Sequence, residues 1–205
     1  MIETSDTVVL GMRPQVAEEI LSGLRLSASH VVISLVAGFS ALRVADLVSP
    51  ASRIWRAIPL PSAAKKRSPI AIYPAGGPAS ELFAHLGRVF GVEAEEHLNA
   101  LSAATSTIAS HFSVMGSIAS WVAGKGVPEL LARKYVACMF AGLADNDLEL
   151  SKQTFGELAA AHATPGGLNE QVLRDLTDHG VFKLLTEALE AVYRRAAGQP
   201  HSPQA

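Results

Sequence analysis

The run Thr164-Pro165-Gly166-Gly167-Leu168-Asn169-Glu170-Gln171 opens an apolar-periodic segment and is suited to holding an anion. A proline fits the first turn of a helix, where its missing N–H wastes no donor, and paired glycines leave backbone N–H groups open to a ligand. The helix dipole adds favourable partial charge, worth ~0.3–1 kcal/mol for an exposed anion. A carboxylate is therefore the group that Gly166 and Gly167 suit. The same residues also form an ordinary capped helix start, and their spacing leaves both readings open.

Four further segments accompany this turn, in a fixed order. Val8-Val9-Leu10-Gly11-Met12-Arg13-Pro14-Gln15 has the form of a strand ending in a Lys-Pro-Gln type turn. Val31 to Ser40 is an apolar strand running into Ala37-Gly38, and Arg53-Ile54-Trp55-Arg56-Ala57-Ile58-Pro59 looks like an Arg-Val-Met-Pro strand. Val181 to Val192 has helical spacing. With Ala163–Gln171, these segments resemble the pyrroline-5-carboxylate reductase family over essentially the whole chain. Members open with a strand, a Gly-x-Gly-x-x-Gly turn and a helix. No such unit stands in this sequence, so we expect a divergent member lacking the Gly-rich dinucleotide-binding unit.

The resemblance implies an oxidoreductase that reduces a cyclic imino acid, 1-pyrroline-5-carboxylate to proline or a close analogue, with hydride from the reduced form of NADP or NAD. It implies a substrate-carboxylate cradle with Gly166 and Gly167 as donors, and it places Asn169 and Thr164 at the chemistry. Asn169 stands where members carry a hydroxyl residue, and a simple cap is its other reading. Ser102 and Thr105, in Ser102-Ala103-Ala104-Thr105-Ser106-Thr107, replace a Ser-Gly-Ser-Gly-Pro-Ala run. They are substrate-side candidates, unless their hydroxyls only bond back to helix carbonyls. On the cofactor side the resemblance implies Arg13, Pro14, Gln15, Ala37, Gly38 and Pro59, with Leu60 replacing a usual Asn. Affinity for the dinucleotide is expected to fall without the glycine turn. These departures support an alternative: a catalytically impaired relative serving as a dimerising structural or interaction protein.

The elements that must position these residues follow from periodicity. Thr7 to Leu10, Val31 to Val36, Arg53 to Ile58 and Ile70 to Tyr73 read as strands. Pro14 to Leu24, Ser40 to Val48 and Pro78 to Phe90 read as helices between them, which predicts a mostly parallel sheet. After Glu95 only helices are expected: 95–123, 127–144, 150–161, 166–179 and 181–197, with a break at Asp145-Asn146-Asp147. The fold class is thus α/β plus all-α. A partial Rossmann-like domain (1–94) precedes a helical dimerisation and substrate domain (95–197), and 198–205 forms a disordered tail.

Composition limits the partners. With 49% hydrophobic and 18% charged residues, the chain has more apolar surface than a small monomer hides, which favours a homodimer or higher homo-oligomer. A net charge of −2 gives no general attraction to nucleic acid or to an anionic membrane. Residues 98–124 carry no Asp, Glu, Lys or Arg, yet their many hydroxyls suit a helix buried between subunits better than lipid. The single Cys138 excludes an internal disulfide, and His85, His97, His111, His162 and His179 show no metal-ligand spacing. Asp145, Asp147 and Glu149 fit helix capping rather than a calcium loop. The polar, acidic start is not a signal peptide, so the cytoplasm is expected.

Overall fold

A computed structural model of the chain describes residues 2–148 and 153–197. Two compact units emerge, one from the chain through Thr105 together with the stretch from Leu189, the other from Ser106–Ala188. In the first unit, β1 (Thr7–Leu10), β2 (Val31–Ser34), β3 (Arg53–Ile58), β4 (Ser68–Tyr73) and β5 (Gly87–Gly91) form one sheet in sequential order. β1, β2 and β3 pair in parallel, β4 turns antiparallel against β3, and β5 is parallel to β4. Helices α1 (Pro14–Ser22), α2 (Ala41–Leu47) and α3 (Gly77–Phe83) occupy the connections.

The Val-Val-Ile-Ser run of β2 is buried along its length, as a strand covered on both faces requires. Its residues alternate between two cores. Val32 joins Leu10, Ala17, Leu21, Val44 and Val48, whereas Val31 and Ile33 join Ala57, Ile70, Ile72 and Phe83. α1 begins at Pro14, after an extended Arg13, and buries Ala17 and Leu21, one turn apart.

Three expectations are corrected. The helix predicted over 78–90 ends at Phe83, and Gly87–Gly91 is a strand instead. A Cβ at Gly87 would strike the Ser68 backbone, so glycine alone lets β5 close onto β4 there, and Val89 and Phe90 supply strand-favouring side chains. The single helix predicted over 95–123 is two, α4 (Glu95–Thr105) and α5 (Ile108–Ala123). Around the break the Thr105 hydroxyl donates to the Ser102 carbonyl (2.7 Å) and the Ser110 hydroxyl to that of Thr107 (3.0 Å), bonds that compete with regular helix geometry. The break expected at Asp145-Asn146-Asp147 is absent, because α6 (Glu129–Leu148) runs through it. Asp and Asn cost a helix interior only a few tenths of a kcal/mol to ~0.7 kcal/mol each, and neither Gly nor Pro interrupts there. Glu149 and the predicted tail 198–205 lie outside the described residues, as does the start of the helix predicted from Leu150.

The second unit contains α5, α6, α7 (Phe155–His162), α8 (Leu168–Asp178) and the first part of α9 (Val181–Ala196). α5 packs on α6, where Ala132 and Val136 are buried and the His111 ring meets Phe140 edge-on, centroids 5.4 Å apart. Yet Leu131, Tyr135, Met139 and Leu143, four residues apart along α6, are all exposed, as are Leu168, Val172 and Leu176 along α8. Among the described residues no helix is long and apolar enough to cross a membrane.

α7 is held by a reciprocal cap. The Thr154 hydroxyl accepts from the Glu157 N–H (3.2 Å), and the Glu157 carboxylate accepts from the Thr154 N–H (2.6 Å) and hydroxyl (3.0 Å). The backbone bond first, then the hydroxyl bond, hold the Glu157 carboxyl below its ordinary pKa of 4.5. A depressed folded-state pKa stabilises the fold above the unfolded value, and that contribution is lost as pH falls through the folded one. Amide protection in the first turn of α7 should therefore hold above pH 4.5 and decay below it. NMR protection factors across that range measure this, and a Glu157→Gln variant should lose the pH dependence.

Candidate functional site

The parallel strands β2 and β3 end beside each other, and their carboxyl ends form a pocket of about 180 Å³. Its walls are Ser34, Leu35, Val36 and Ala37 after β2, Arg56, Ala57, Ile58 and Pro59 from β3, and Ser102 from α4. β3 carries two arginines, Arg53 exposed at its start and Arg56 amid Ile54, Trp55, Ala57 and Ile58, and Arg56 is only 6% exposed. A buried guanidinium needs a partner. Arg56 Nη1 donates to Glu95 Oε1 (2.7 Å) and to Asn99 Oδ1 (3.2 Å). Glu95 Oε1 also accepts the Ala41 N–H (2.6 Å), so one carboxylate ties β3 and the first residue of α2 to the first turn of α4. Glu95, Asn99 and Ser102 stand four and three residues apart, a helical stripe along one face of α4.

Several predicted site residues meet here. Ala37 and Pro59, expected on the cofactor side, share the pocket with Ser102, expected on the substrate side. Gly38 follows Ala37 in an exposed turn at φ +74°, and nothing lies within 4 Å of where its Cβ would stand. Arg13, Pro14 and Gln15 form the exposed start of α1, with Arg13 as its extended N-cap. Thr105 does not line the pocket, and its hydroxyl bonds back to Ser102. Leu60 contributes a backbone N–H to the Ser68 hydroxyl (2.9 Å). The sequence reading missed Arg56, Glu95 and Asn99. The available signal was an arginine flanked on both sides by apolar pairs, Ile54-Trp55 and Ala57-Ile58, a setting that buries a charge only when it is paired.

The α8 turn lies in the other unit and differs from expectation in one respect. Gly166 adopts φ +74° and Gly167 is the extended N-cap, where a Cβ would strike the Thr164 hydroxyl and carbonyl oxygens. The two glycine amides, expected to be open, both have partners. Gly167 donates to the Thr164 carbonyl (2.8 Å), and Gly166 donates to the Glu170 carboxylate (2.7 Å). Glutamate three residues into a helix can reach back over the turn, which is why Glu170 takes this place. The Asn169 side-chain amide donates to the His162 carbonyl (3.1 Å). No side chain caps this helix start, so its free donors are the first-turn N–H groups from Leu168 onward.

Residues 95–199, just over half of the chain, match the family described as pyrroline-5-carboxylate reductase dimerisation. The chain belongs to the pyrroline-5-carboxylate reductase family. It is similar to a pyrroline-5-carboxylate reductase of Vibrio alginolyticus, 25% identical over 94% of this chain and 74% of the relative. It is also similar to pyrroline-5-carboxylate reductase 3 of Xenopus laevis, 25% identical over 96% and 74%. Among solved structures, the 1-pyrroline-5-carboxylate reductase of Streptococcus pyogenes superposes with a TM-score of 0.83 at 23% identity, over 96% of this chain and 78% of that one. The Plasmodium falciparum pyrroline carboxylate reductase, solved with NADP bound, gives 0.82 at 16% identity, over 94% and 76%. These likenesses establish a shared fold, the expected α/β sheet unit followed by helices, in a divergent member of the pyrroline-5-carboxylate reductase family. Glu95 is the first residue of the stretch that matches the reductase dimerisation family, and its bond to Arg56 ties the first turn of α4 to the sheet within the first unit.

Proposed function

We propose that this member of the reductase family reduces a cyclic imino acid, 1-pyrroline-5-carboxylate to proline or a close analogue, with NADPH or NADH. It acts in the cytoplasm as a homodimer or higher homo-oligomer, residues 1–94 serving the dinucleotide and 95–197 serving dimerisation and substrate. The observation that carries the reading is the pocket at the carboxyl ends of β2 and β3, where open α/β sheets take their ligands. Its residues fit a planar ring. Leu35, Val36, Ala57 and Ile58 give apolar walls, Ser34 and Ser102 add hydroxyls, and Gly38, next in the chain after the lining Ala37, leaves the backbone there open to close approach. The reduced nicotinamide supplies the hydride, and the protein's task is to position its partners.

In this reading Ala37, Gly38 and Pro59 border the ring, while Arg13, Pro14 and Gln15 meet the neighbouring ribose. The substrate carboxylate takes the Gly166–Asn169 turn, with Asn169 contributing its amide, and Thr164 offers a hydroxyl to the ring nitrogen. Glu170 must release the Gly166 amide for that carboxylate, and its charge opposes the incoming one. Glu170→Ala should therefore lower KM for the imino acid roughly two- to five-fold with kcat little changed, the size of a helix-dipole charge effect. A KM that is unchanged or raised counts against this cradle.

The self-satisfied α8 turn favours a second reading, a catalytically impaired relative that serves as a dimerising structural or interaction protein. Mixing the purified chain with NADPH and 1-pyrroline-5-carboxylate separates the two. Imine-dependent loss of NADPH absorbance is expected, and its absence, with dimer intact, selects the second reading.

A further inference from the structure

The Arg56 guanidinium is only partly used by the protein. Arginine presents five N–H donors, and the contacts to Glu95 and Asn99 commit Nη1 alone. Nε and Nη2 find no protein acceptor among the described residues. Neither nitrogen is a fully buried donor left without a partner, and Arg56 is one of the residues that line the pocket. Arg56 thus brings uncommitted donors to a pocket whose other walls are mainly apolar, with Ser34 and Ser102 the hydroxyl residues among them.

Charge decides which acceptor these donors suit. Glu95, 2.7 Å from Nη1, already neutralises the arginine, so an anionic ligand group would face that carboxylate at close range. A neutral acceptor gains the charge-assisted hydrogen bond without this opposition. The surrounding apolar walls call for a flat ring carrying that acceptor.

We propose that Arg56 is a ligand-binding residue that donates from Nε or Nη2 to the carboxamide oxygen of the nicotinamide ring, with Glu95 and Asn99 as positioning residues that fix the guanidinium. The proposal rests on the dinucleotide reading above. It makes the Arg56–Glu95–Asn99 cluster part of the ring's recognition as well as a support for the sheet.

The test measures equilibrium binding to the full chain of NADPH and of its thionicotinamide analogue, in which sulfur, a weaker acceptor, replaces the carboxamide oxygen. The unaltered protein should prefer NADPH by about ten-fold, the lower end for a hydrogen bond to a charged group. Arg56→Met with Glu95→Met removes both charges together and should bring the preference close to unity. Arg56→Lys keeps the cation but loses the planar fork, and should reduce the preference several-fold with an unchanged circular dichroism spectrum. A preference that persists undiminished in Arg56→Lys, or one absent from the unaltered protein, overturns the role of Arg56 and leaves the dinucleotide reading standing. An unaltered protein that binds no NADPH overturns both.

Discussion

Glu95→Ala is expected to destabilise the sheet unit by about 3 kcal/mol, the lower end for breaking a buried ion pair by removing one partner. The Glu95 side chain is 24% exposed, which is why the lower end applies, but the Arg56 side chain at 7% is left with an uncompensated charge. The Ala41 N–H loses its acceptor at the same time. Asn99 cannot compensate, since its contact with Arg56 Nη1 is longer and uncharged (3.2 Å). Urea denaturation should show a lower midpoint with an unchanged slope, the sign of lost stability rather than altered compactness. Arg56→Met with Glu95→Met should recover most of the loss, because paired apolar replacements leave no charge buried. A loss below about 1 kcal/mol for Glu95→Ala would mean that water solvates Arg56 freely.

This ion pair also shows where sequence reading stops. Arg56 and Glu95 are 39 positions apart, and no local periodicity joins a strand residue to a helix that begins beyond two further strands. β2 was legible because its apolar run is its own signal, and α1 because Pro14 and the Ala17–Leu21 spacing are local. β5 was not. Gly-Arg-Val-Phe-Gly follows a helical stretch without a strong stop, and what makes it a strand is how Gly87 fits against Ser68, a tertiary fact. The α8 turn was legible as a helix start, because proline and glycine act locally. The fate of its amides was not, since Glu170 and the Thr164 carbonyl compete for the same donors that a ligand would use. Spacing supplies the donors, and geometry chooses among acceptors.

Tyr135→Glu should convert the proposed homodimer into monomers. Tyr135 is 66% exposed in the middle of the α6 stripe formed by Leu131, Tyr135, Met139 and Leu143, a face that a stable helix does not leave in water without a partner. A twofold interface uses the same patch from both subunits, so each substitution enters twice. Burying one such aromatic is worth roughly 2 kcal/mol, so its double loss alone weakens association about a thousand-fold, before the cost of burying two new carboxylates. Glutamate forms helix at least as well as tyrosine, so the helices themselves should persist. Sedimentation velocity should then report the monomer mass while far-ultraviolet circular dichroism stays unchanged. An unaltered sedimentation coefficient would remove α6 from the interface and leave the α8 stripe of Leu168, Val172 and Leu176 as the face that a second copy must cover.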